Sequence, residues 1–204
     1  PVVAAVAGKV VGTALELAMA CHWRVCTRET TFSLPEVTLG INPGAGATQR
    51  LPRLIGLDAA LPMLLTGKPV DAQRALAVGL VDAVCDAQTL LEGAQRMTDT
   101  GCRITDNGCR RTSRMEDKVR DARRNAAAFD NAKRLLAAVP TEIIAPRVIA
   151  GAVRSGIEES LQAGFLAEQT GFAACMETPA ARNRIYLFFA TRDTGKAPEL
   201  SGVE

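Results

Sequence analysis

The sequence has few aromatic residues, almost no net charge and no long apolar run. Aromatic residues make up 4% of the 204 residues, and the formal net charge at pH 7 is +2. Proteins that bind nucleic acid usually combine a basic surface with side chains on which bases stack, so we expect no nucleic acid partner. No apolar run approaches the roughly 20 residues that a membrane-spanning helix needs. We therefore expect a soluble protein with no membrane partner that acts on a small molecule.

Histidine is nearly absent too, because His22 is the only one. The six cysteines form no Cys-x-x-Cys pair, and a single histidine is too few for an ordinary mixed zinc site. We therefore predict no metal and reduced thiols, with Cys21, Cys26 and Cys85 in the core. We interpret His22 as a packed or capping residue. Since the sequence begins at Pro1 and not at methionine, we expect further residues to precede it.

The first hundred residues alternate short apolar runs with helical segments, which is typical of an α/β fold. The predicted elements, in order, are strand 2–6, helix 13–20, strand 24–26, helix 48–54, helix 72–78 and strand 80–84. Glycines at turns and an N-capping Asp71 separate these segments. Residues 1–100 are therefore predicted to form an α/β core.

The rest of the sequence divides into a connector and a helical end. Residues 101–140 mix many basic with several acidic side chains and contain no Tyr or Trp, so we predict a solvated connector that is partly helical from Met115. A basic patch for nucleic acid is the less favoured interpretation. Residues 141–204 show apolar residues at helical spacing and are predicted to form an all-helical C-terminal extension.

Glu16 is the first candidate for chemistry. It lies about one turn inside the helix that is predicted to begin at Thr13, after the turn at Gly12. The first turn of a helix has free N–H groups and a partial positive charge, which can polarise a carbonyl oxygen. The alternative interpretation is a carboxylate that merely complements the helix dipole. Taken alone, Glu16 favours that alternative.

Glu36 is the second candidate, in the segment Leu34-Pro35-Glu36-Val37. The proline is expected to hold the carboxylate on a rigid, extended backbone, and the apolar neighbours are expected to raise its pKa. An exposed turn residue is the alternative interpretation. Two carboxylates beside helix N-termini that begin at Thr13 and after Gly44 would together provide an acid, a base and an oxyanion stabiliser. That combination suits enolate chemistry on a carbonyl compound.

Three motifs carry a resemblance to a known family. They are Glu16-Leu17-Ala18, the seven residues 34–40 (LPEVTLG) and the eleven residues 43–53 (PGAGATQRLPR). In this order and spacing they resemble the middle of the crotonase family of enoyl-CoA hydratases and isomerases. The resemblance is strong over about the first two fifths of the chain, and it implies a crotonase-like core of repeated ββα units whose first strands precede Pro1.

The resemblance also implies roles for individual residues. Glu16 would activate or position water, and Glu36 would exchange a proton with the α-carbon of the substrate. Thr13, after Gly12, falls where the family places an oxyanion N–H, and Gly44 begins the loop that lines the water-binding side. The implied reaction is syn hydration of a 2-enoyl-CoA thioester in fatty-acid β-oxidation, and isomerisation of the double bond is possible with the same acids. Coenzyme A would enter as part of the substrate, so no separate cofactor is implied.

One departure from the family pattern creates an alternative. The family's usual Gly-Gly-Gly is Gly12-Thr13-Ala14 here, which places side chains where the thioester must approach. A non-catalytic module with an impaired oxyanion hole, used for binding or structure, is therefore the second interpretation. A chain without the first strands of the family is also expected to have weak activity or none.

A second, weaker resemblance concerns the end of the chain. Phe188-Phe189-Ala190-Thr191-Arg192 resembles the linker that follows the hydratase part of multifunctional β-oxidation proteins, and Cys21-His22-Trp23-Arg24 resembles their hydratase part. This implies a 3-hydroxyacyl-CoA dehydrogenase domain on the C-terminal side of the same polypeptide. The protein would then be cytoplasmic in a bacterium or peroxisomal in a eukaryote, and a homo-oligomer is one expected assembly.

Overall fold

The structure, a computed structural model, describes residues 1–101 and 110–194. Its strands are β1 (Val3–Val6), β2 (Lys9–Val11), β3 (Trp23–Thr27), β4 (Thr31–Ser33), β5 (Val70–Asp71) and β6 (Ala83–Cys85). Its helices are α1 (Thr13–Ala20), α2 (Ala47–Ile55), α3 (Leu57–Thr66), α4 (Ala72–Val78), α5 (Leu90–Gly101), α6 (Ala122–Ala137), α7 (Ala145–Glu158), α8 (Leu161–Met176) and α9 (Pro179–Thr194). Short 3₁₀ helices cover Pro35–Leu39, Ala87–Thr89 and Thr112–Arg114.

The strands form two small sheets among the described residues. In the first sheet, β3 lies between β1 and β6 and pairs in parallel with both, with Val25 opposite Ala5 and Ala83. In the second sheet, β4 pairs in parallel with β2 and antiparallel with β5. Parallel neighbours need a crossover, and α1 lies in the chain within the crossovers from β1 to β3 and from β2 to β4. This helix packs against β2 and β3. The predicted α/β fold is confirmed.

Most predicted elements match the observed ones within one or two residues, but three differ. The strand predicted over 80–84 is observed only at Ala83–Cys85. The N–H groups of Leu80 and Val81 donate instead to the carbonyl of Ala75 in α4. The connector's helix starts at Ala122, where Asp121 caps it by accepting a hydrogen bond from the N–H of Arg124, and not at Met115. Residues 102–109 of the connector lie outside the described residues.

The third difference concerns Glu36, whose backbone is helical where an extended conformation was predicted. Pro35 is the first residue of the 3₁₀ helix Pro35–Leu39, a position that suits proline because its fixed φ matches the helix and its missing N–H leaves no donor unpaired. Gly40 ends this helix in the left-handed conformation, with φ of 77°. The Glu36 side chain is therefore held by one helical turn.

In the described part of the chain, an apolar core runs from β2 and α1 through α2 and α3 to α6 and α7. Leu15, Leu51, Leu61 and Ile149 from these helices are each at most 1% exposed. α7 packs on α2 and α3, and α8 packs on α7 and α2. The division of the chain into core, connector and extension stays a prediction, but the helices after residue 141 contact the elements that carry the candidate motifs.

A buried ion pair joins β3 to the segment before β6. The Arg24 side chain is 1% exposed, and its guanidinium contacts Asp82 at 3.2 Å and donates to the carbonyl of Leu80 at 2.7 Å. Asp82 also accepts from Arg110 at 2.6 Å. Removing one partner of such a pair leaves a buried charge without compensation, which is strongly destabilising.

We expect Asp82→Ala to lower the free energy of unfolding by about 3 kcal/mol, because it leaves the buried guanidinium of Arg24 without its carboxylate partner. Urea denaturation measures this value. Asp86→Ala is the matched control: its partner Arg28 is 63% exposed, so the loss should stay below about 1 kcal/mol. Equal losses in the two variants would show that burial does not strengthen the Arg24 pair.

Candidate active site

The N-terminus of α1 is set by a strained turn at Gly12. Gly12 has φ of 59° and ψ of −127°, and a Cβ at this position would lie 2.7 Å from Oε1 of Glu36. Both the positive φ and the close carboxylate require glycine. The N–H of Thr13 donates no hydrogen bond within the described part of the chain, as is usual in the first turn of a helix. Glu36 thus lies directly beside a helix N-terminus with a free donor.

Glu36 has an environment that favours its protonated form. Its Oε2 is buried and has no hydrogen-bond partner among the described residues. Burial, followed by the charges of Glu16 and Glu168, raises its pKa to about 7, against an opposing hydrogen bond from its own backbone N–H. The predicted upward shift of this pKa is confirmed, although the Glu36 backbone is helical and not extended.

Glu16 is held as a hydrogen-bonded carboxylate. It is 2% exposed, and its Oε1 accepts the N–H groups of Ala45 and Ala47, each at 2.9 Å. Its Oε2 accepts no hydrogen bond from the described residues. One oxygen of Glu16 is therefore fixed by the loop before α2, and the other is free to bind a water molecule or substrate group.

The five residues singled out from the sequence lie close together in the fold. Gly12 contacts Glu36, Thr13 follows Gly12, and Gly44 precedes the Ala45 that binds Glu16. The side chain of Thr13 is exposed, and Gly44 is also exposed but lies against the ring of Phe172. His22 is a capping residue as expected: its Nδ1 accepts the N–H of Val2 at 3.0 Å.

Sequence reasoning missed one buried acid, Glu168 of α8. It is 1% exposed, and it accepts the N–H of Gly46 at 2.6 Å and the N–H of Thr48 at 3.0 Å. Burial raises the pKa of its carboxyl, while these hydrogen bonds and that of the Thr48 hydroxyl lower it. Glu168 lies three residues after Phe165 and four before Phe172, which places it on the apolar face of α8. A lone carboxylate on such a face is the sequence signal that could have identified it.

The site combines a proton donor or acceptor, a fixed carboxylate and a helix N-terminus. Glu36 can exchange a proton near neutral pH, Glu16 is oriented by two N–H groups, and the Thr13 N–H can stabilise a developing oxyanion. Among residues 1–101 and 110–194, no group of three or more His, Cys, Asp or Glu side chains is arranged to hold a metal ion. Nor does that part of the chain contain a helix with the length and apolarity to cross a membrane.

Residues 1–143 match the enoyl-CoA hydratase/isomerase family. The chain belongs to this family. The match includes Gly12, Glu16, Glu36 and Gly44, so the two acids predicted from the sequence lie in the part of the chain that is common to these proteins, whereas Glu168 follows it. The predicted membership of the crotonase family is therefore confirmed.

Curated relatives of this family member carry names from fatty acid oxidation. The glyoxysomal fatty acid β-oxidation multifunctional protein MFP-a of Cucumis sativus is 36% identical over 97% of this chain and 27% of its own length. The fatty acid oxidation complex subunit alpha of Shewanella frigidimarina is 37% identical over 99% of this chain and 29% of its own length. The chain thus spans less than a third of the length of these relatives.

Solved structures of family members share the fold. An enoyl-CoA hydratase from Mycobacterium smegmatis is 25% identical, with a TM-score of 0.53 over 86% of this chain and 64% of its own. An enoyl-CoA hydratase from Mycobacterium avium subsp. paratuberculosis is 22% identical and has a TM-score of 0.58 over 93% of this chain and 63% of its own. The crotonase-like architecture is supported by these neighbours.

The raised pKa of Glu36 predicts how stability depends on pH. The folded chain keeps this proton up to about pH 7, whereas the unfolded chain releases it near pH 4.5. The protonated carboxyl therefore makes its full contribution to the free energy of unfolding below pH 4.5, and this contribution is lost as the pH rises through 7. A shift of this size corresponds to at most about 3 kcal/mol. We expect Glu36→Gln to remove this part of the decline between pH 5 and pH 8, as measured by urea unfolding.

Glu29→Gln serves as the control for this pH series, since Glu29 is exposed in the turn after β3. It should reproduce the parent's pH dependence. Parallel curves for the parent and Glu36→Gln would mean that Glu36 titrates near its ordinary value in the folded chain.

Proposed function

We propose that this chain catalyses syn hydration of 2-enoyl-CoA thioesters in fatty-acid β-oxidation. The observation that carries the proposal is the pair of carboxylates with opposite environments at one helix N-terminus: Glu16 accepts two N–H bonds, and Glu36 has a pKa near 7. Hydration needs one group that directs water and one that delivers a proton, so such a pair fits this reaction.

In this mechanism Glu16 directs the water. Its Oε1 is occupied by Ala45 and Ala47, which leaves Oε2 to accept a hydrogen bond from a water molecule and orient its lone pair toward the β-carbon. A hydrogen-bonded carboxylate loses little freedom when the water binds, so the attacking oxygen is positioned before reaction.

Glu36 completes the addition at the α-carbon. At neutral pH about half of a group with a pKa near 7 is protonated, so Glu36 can donate its proton and take one back from the water during the cycle. The net change adds hydroxyl to the β-carbon and a proton to the α-carbon. Because the two carboxylates are close enough to interact electrostatically, the two additions are expected on the same face in this proposal.

The thioester oxygen is stabilised by backbone donors in this proposal. The N–H of Thr13, which follows the turn at Gly12, would provide one of them, because every residue except proline has this group. The developing enolate carries its negative charge on that oxygen, so a donor beside the positive end of α1 favours the transition state over the ground state.

We further propose that the chain acts as the hydratase part of a longer multifunctional polypeptide, with coenzyme A entering only as part of the substrate. Its relative in Cucumis sativus is named a fatty acid β-oxidation multifunctional protein, its relative in Shewanella frigidimarina is named a fatty acid oxidation complex subunit alpha, and both are more than three times as long as the match. The proposal includes a C-terminal 3-hydroxyacyl-CoA dehydrogenase domain and a cytoplasmic or peroxisomal location. Because the chain spans less than a third of the length of these relatives, we expect the 204 residues alone to have weak activity or none.

The test is the hydration of crotonyl-CoA, followed by the loss of enoyl absorbance, with the full natural polypeptide that contains this chain. We expect Glu16→Gln and Glu36→Gln each to lower kcat by a factor of about 10² to 10⁴, since each removes a proton-transferring or water-orienting group. The exposed Glu29→Gln is the matched control and should leave kcat unchanged.

Other outcomes of this assay favour other functions. Binding of an acyl-CoA without turnover in the parent would support the non-catalytic module with an impaired oxyanion hole. Conversion of a 3-enoyl-CoA to the 2-enoyl isomer, measured in parallel, would add isomerase activity, because the same enolate lies on both paths. No turnover and no binding of either thioester would refute the proposed substrate class.

The role of the Thr13 N–H predicts a contrast between two substitutions at one position. Thr13 is the first residue of α1, where proline fits the helix backbone but removes the N–H. We expect Thr13→Pro to lower kcat by a factor of about 10² to 10³, the usual loss of one oxyanion donor, and Thr13→Ala to keep most of it. Equal kcat values in the two variants would exclude this N–H from the oxyanion site.

A further inference from the structure

Two buried carboxylates divide the N–H groups at the start of α2 between them. Glu16 accepts from Ala45 and Ala47, whereas Glu168 accepts from Gly46 and Thr48. Successive N–H groups of the segment 45–48 therefore point to alternate acids. Such an arrangement leaves the segment little freedom, because rotation of any one of its peptide groups breaks a hydrogen bond to one of the two carboxylates.

Glu168 is itself held from several sides. Its Oε2 also accepts the hydroxyl of Thr48 at 2.6 Å, and its backbone carbonyl accepts the amide of Asn42 at 3.0 Å. Gln49 donates to the Thr48 hydroxyl oxygen at 2.9 Å and to the Ala152 carbonyl of α7 at 2.8 Å. The Glu168 carboxylate is thus attached to α2 and, through Thr48 and Gln49, to α7, while its backbone carbonyl is attached to the loop at Asn42.

The packing of α8 fits this attachment. A Cβ at Gly164 would collide with the side-chain oxygen of Gln49, so the close approach of α8 to α2 depends on glycine there. Phe165 and Phe172 lie on the same face of α8 as Glu168, and their rings lie against Gly46 and Gly44. One side of the loop 44–46 is therefore packed against α8, and the loop cannot shift toward this helix without moving these rings.

Among the residues that the structure describes, only Ala45 and Ala47 donate hydrogen bonds to Oε1 of Glu16. Glu168 is 1% exposed, so its side chain is not available for contact with a substrate. We propose that Glu168 is a positioning residue for hydration: it holds the segment 45–48 so that the N–H groups of Ala45 and Ala47 aim Glu16 at the water. This inference rests on the proposed function and adds a residue that acts only through Glu16.

A double-substitution cycle with Glu16→Gln, Glu168→Gln and the combined variant tests this role, using crotonyl-CoA and the full natural polypeptide. In Glu168→Gln an amide replaces one carboxylate oxygen and must face N–H donors, so α2 should shift at its start. We expect kcat to fall by about ten- to a hundredfold with KM changed less than about threefold, since misplacement of a catalytic group acts mainly on the chemical step. In the Glu16→Gln background the same change should cost less than about twofold, because Glu168 acts through Glu16.

Arg53→Met is the control for loss of stability. Arg53 is 5% exposed and joins the other end of α2 to α7 through the carbonyl of Gly156, so its replacement should also lower the melting temperature. It should nevertheless leave kcat within about twofold of the parent, since it lies in α2 after the segment that binds Glu16.

The outcomes separate this inference from the proposed function. An active parent with an unaffected Glu168→Gln variant overturns the positioning role and leaves the hydratase function standing. Losses that multiply fully in the combined variant also overturn it, because they indicate a general structural effect. A parent without turnover overturns both.

Discussion

The start of α2 is the point on which the site depends. Its N–H groups carry partial positive charge and lie where water is excluded, so they need anionic partners. Glu16 from α1 and Glu168 from α8 provide those partners, each nearly fully buried. A buried carboxylate is costly unless several donors surround it, and here the helix N-terminus that needs acceptors and the acids that need donors satisfy each other. The relative placement of α1, α2 and α8 follows from this exchange.

The two candidate catalytic acids differ because only one of them accepts hydrogen bonds from the start of α2. Glu16 accepts two N–H groups. Glu36, which lies beside Gly12, has a buried oxygen with no hydrogen-bond partner among the described residues. Their negative charges are close enough for Glu16 to contribute to the raised pKa of Glu36. A pair of like groups in unlike environments is how a site obtains an acid and a base from the same residue type. The hydration chemistry proposed for this family member rests on that difference.

Local patterns in the sequence predicted much of this arrangement. The turn at Gly12, the helix from Thr13 and the capped helix from Ala72 are encoded within a few residues, and the structure has all three. The motifs around Glu16 and Glu36 also pointed to the family. The backbone at Glu36 was predicted wrongly because proline is equally suited to an extended segment and to the first position of a helix. Glu168 escaped prediction because its partner Gly46 is 122 residues away, and no periodicity links an acid on one helix to the N-terminus of another.

The central claim is that both acids act on one face of the substrate, and the stereochemistry of hydration in D₂O tests it most directly. Crotonyl-CoA would be hydrated by the full natural polypeptide, and NMR of the product would locate the deuterium at the α-carbon relative to the new hydroxyl. Delivery from Glu16 and Glu36 beside the N-terminus of α1 predicts that deuterium and hydroxyl are added to the same face. Addition to opposite faces, or deuterium spread over both α positions at early times, would contradict the account.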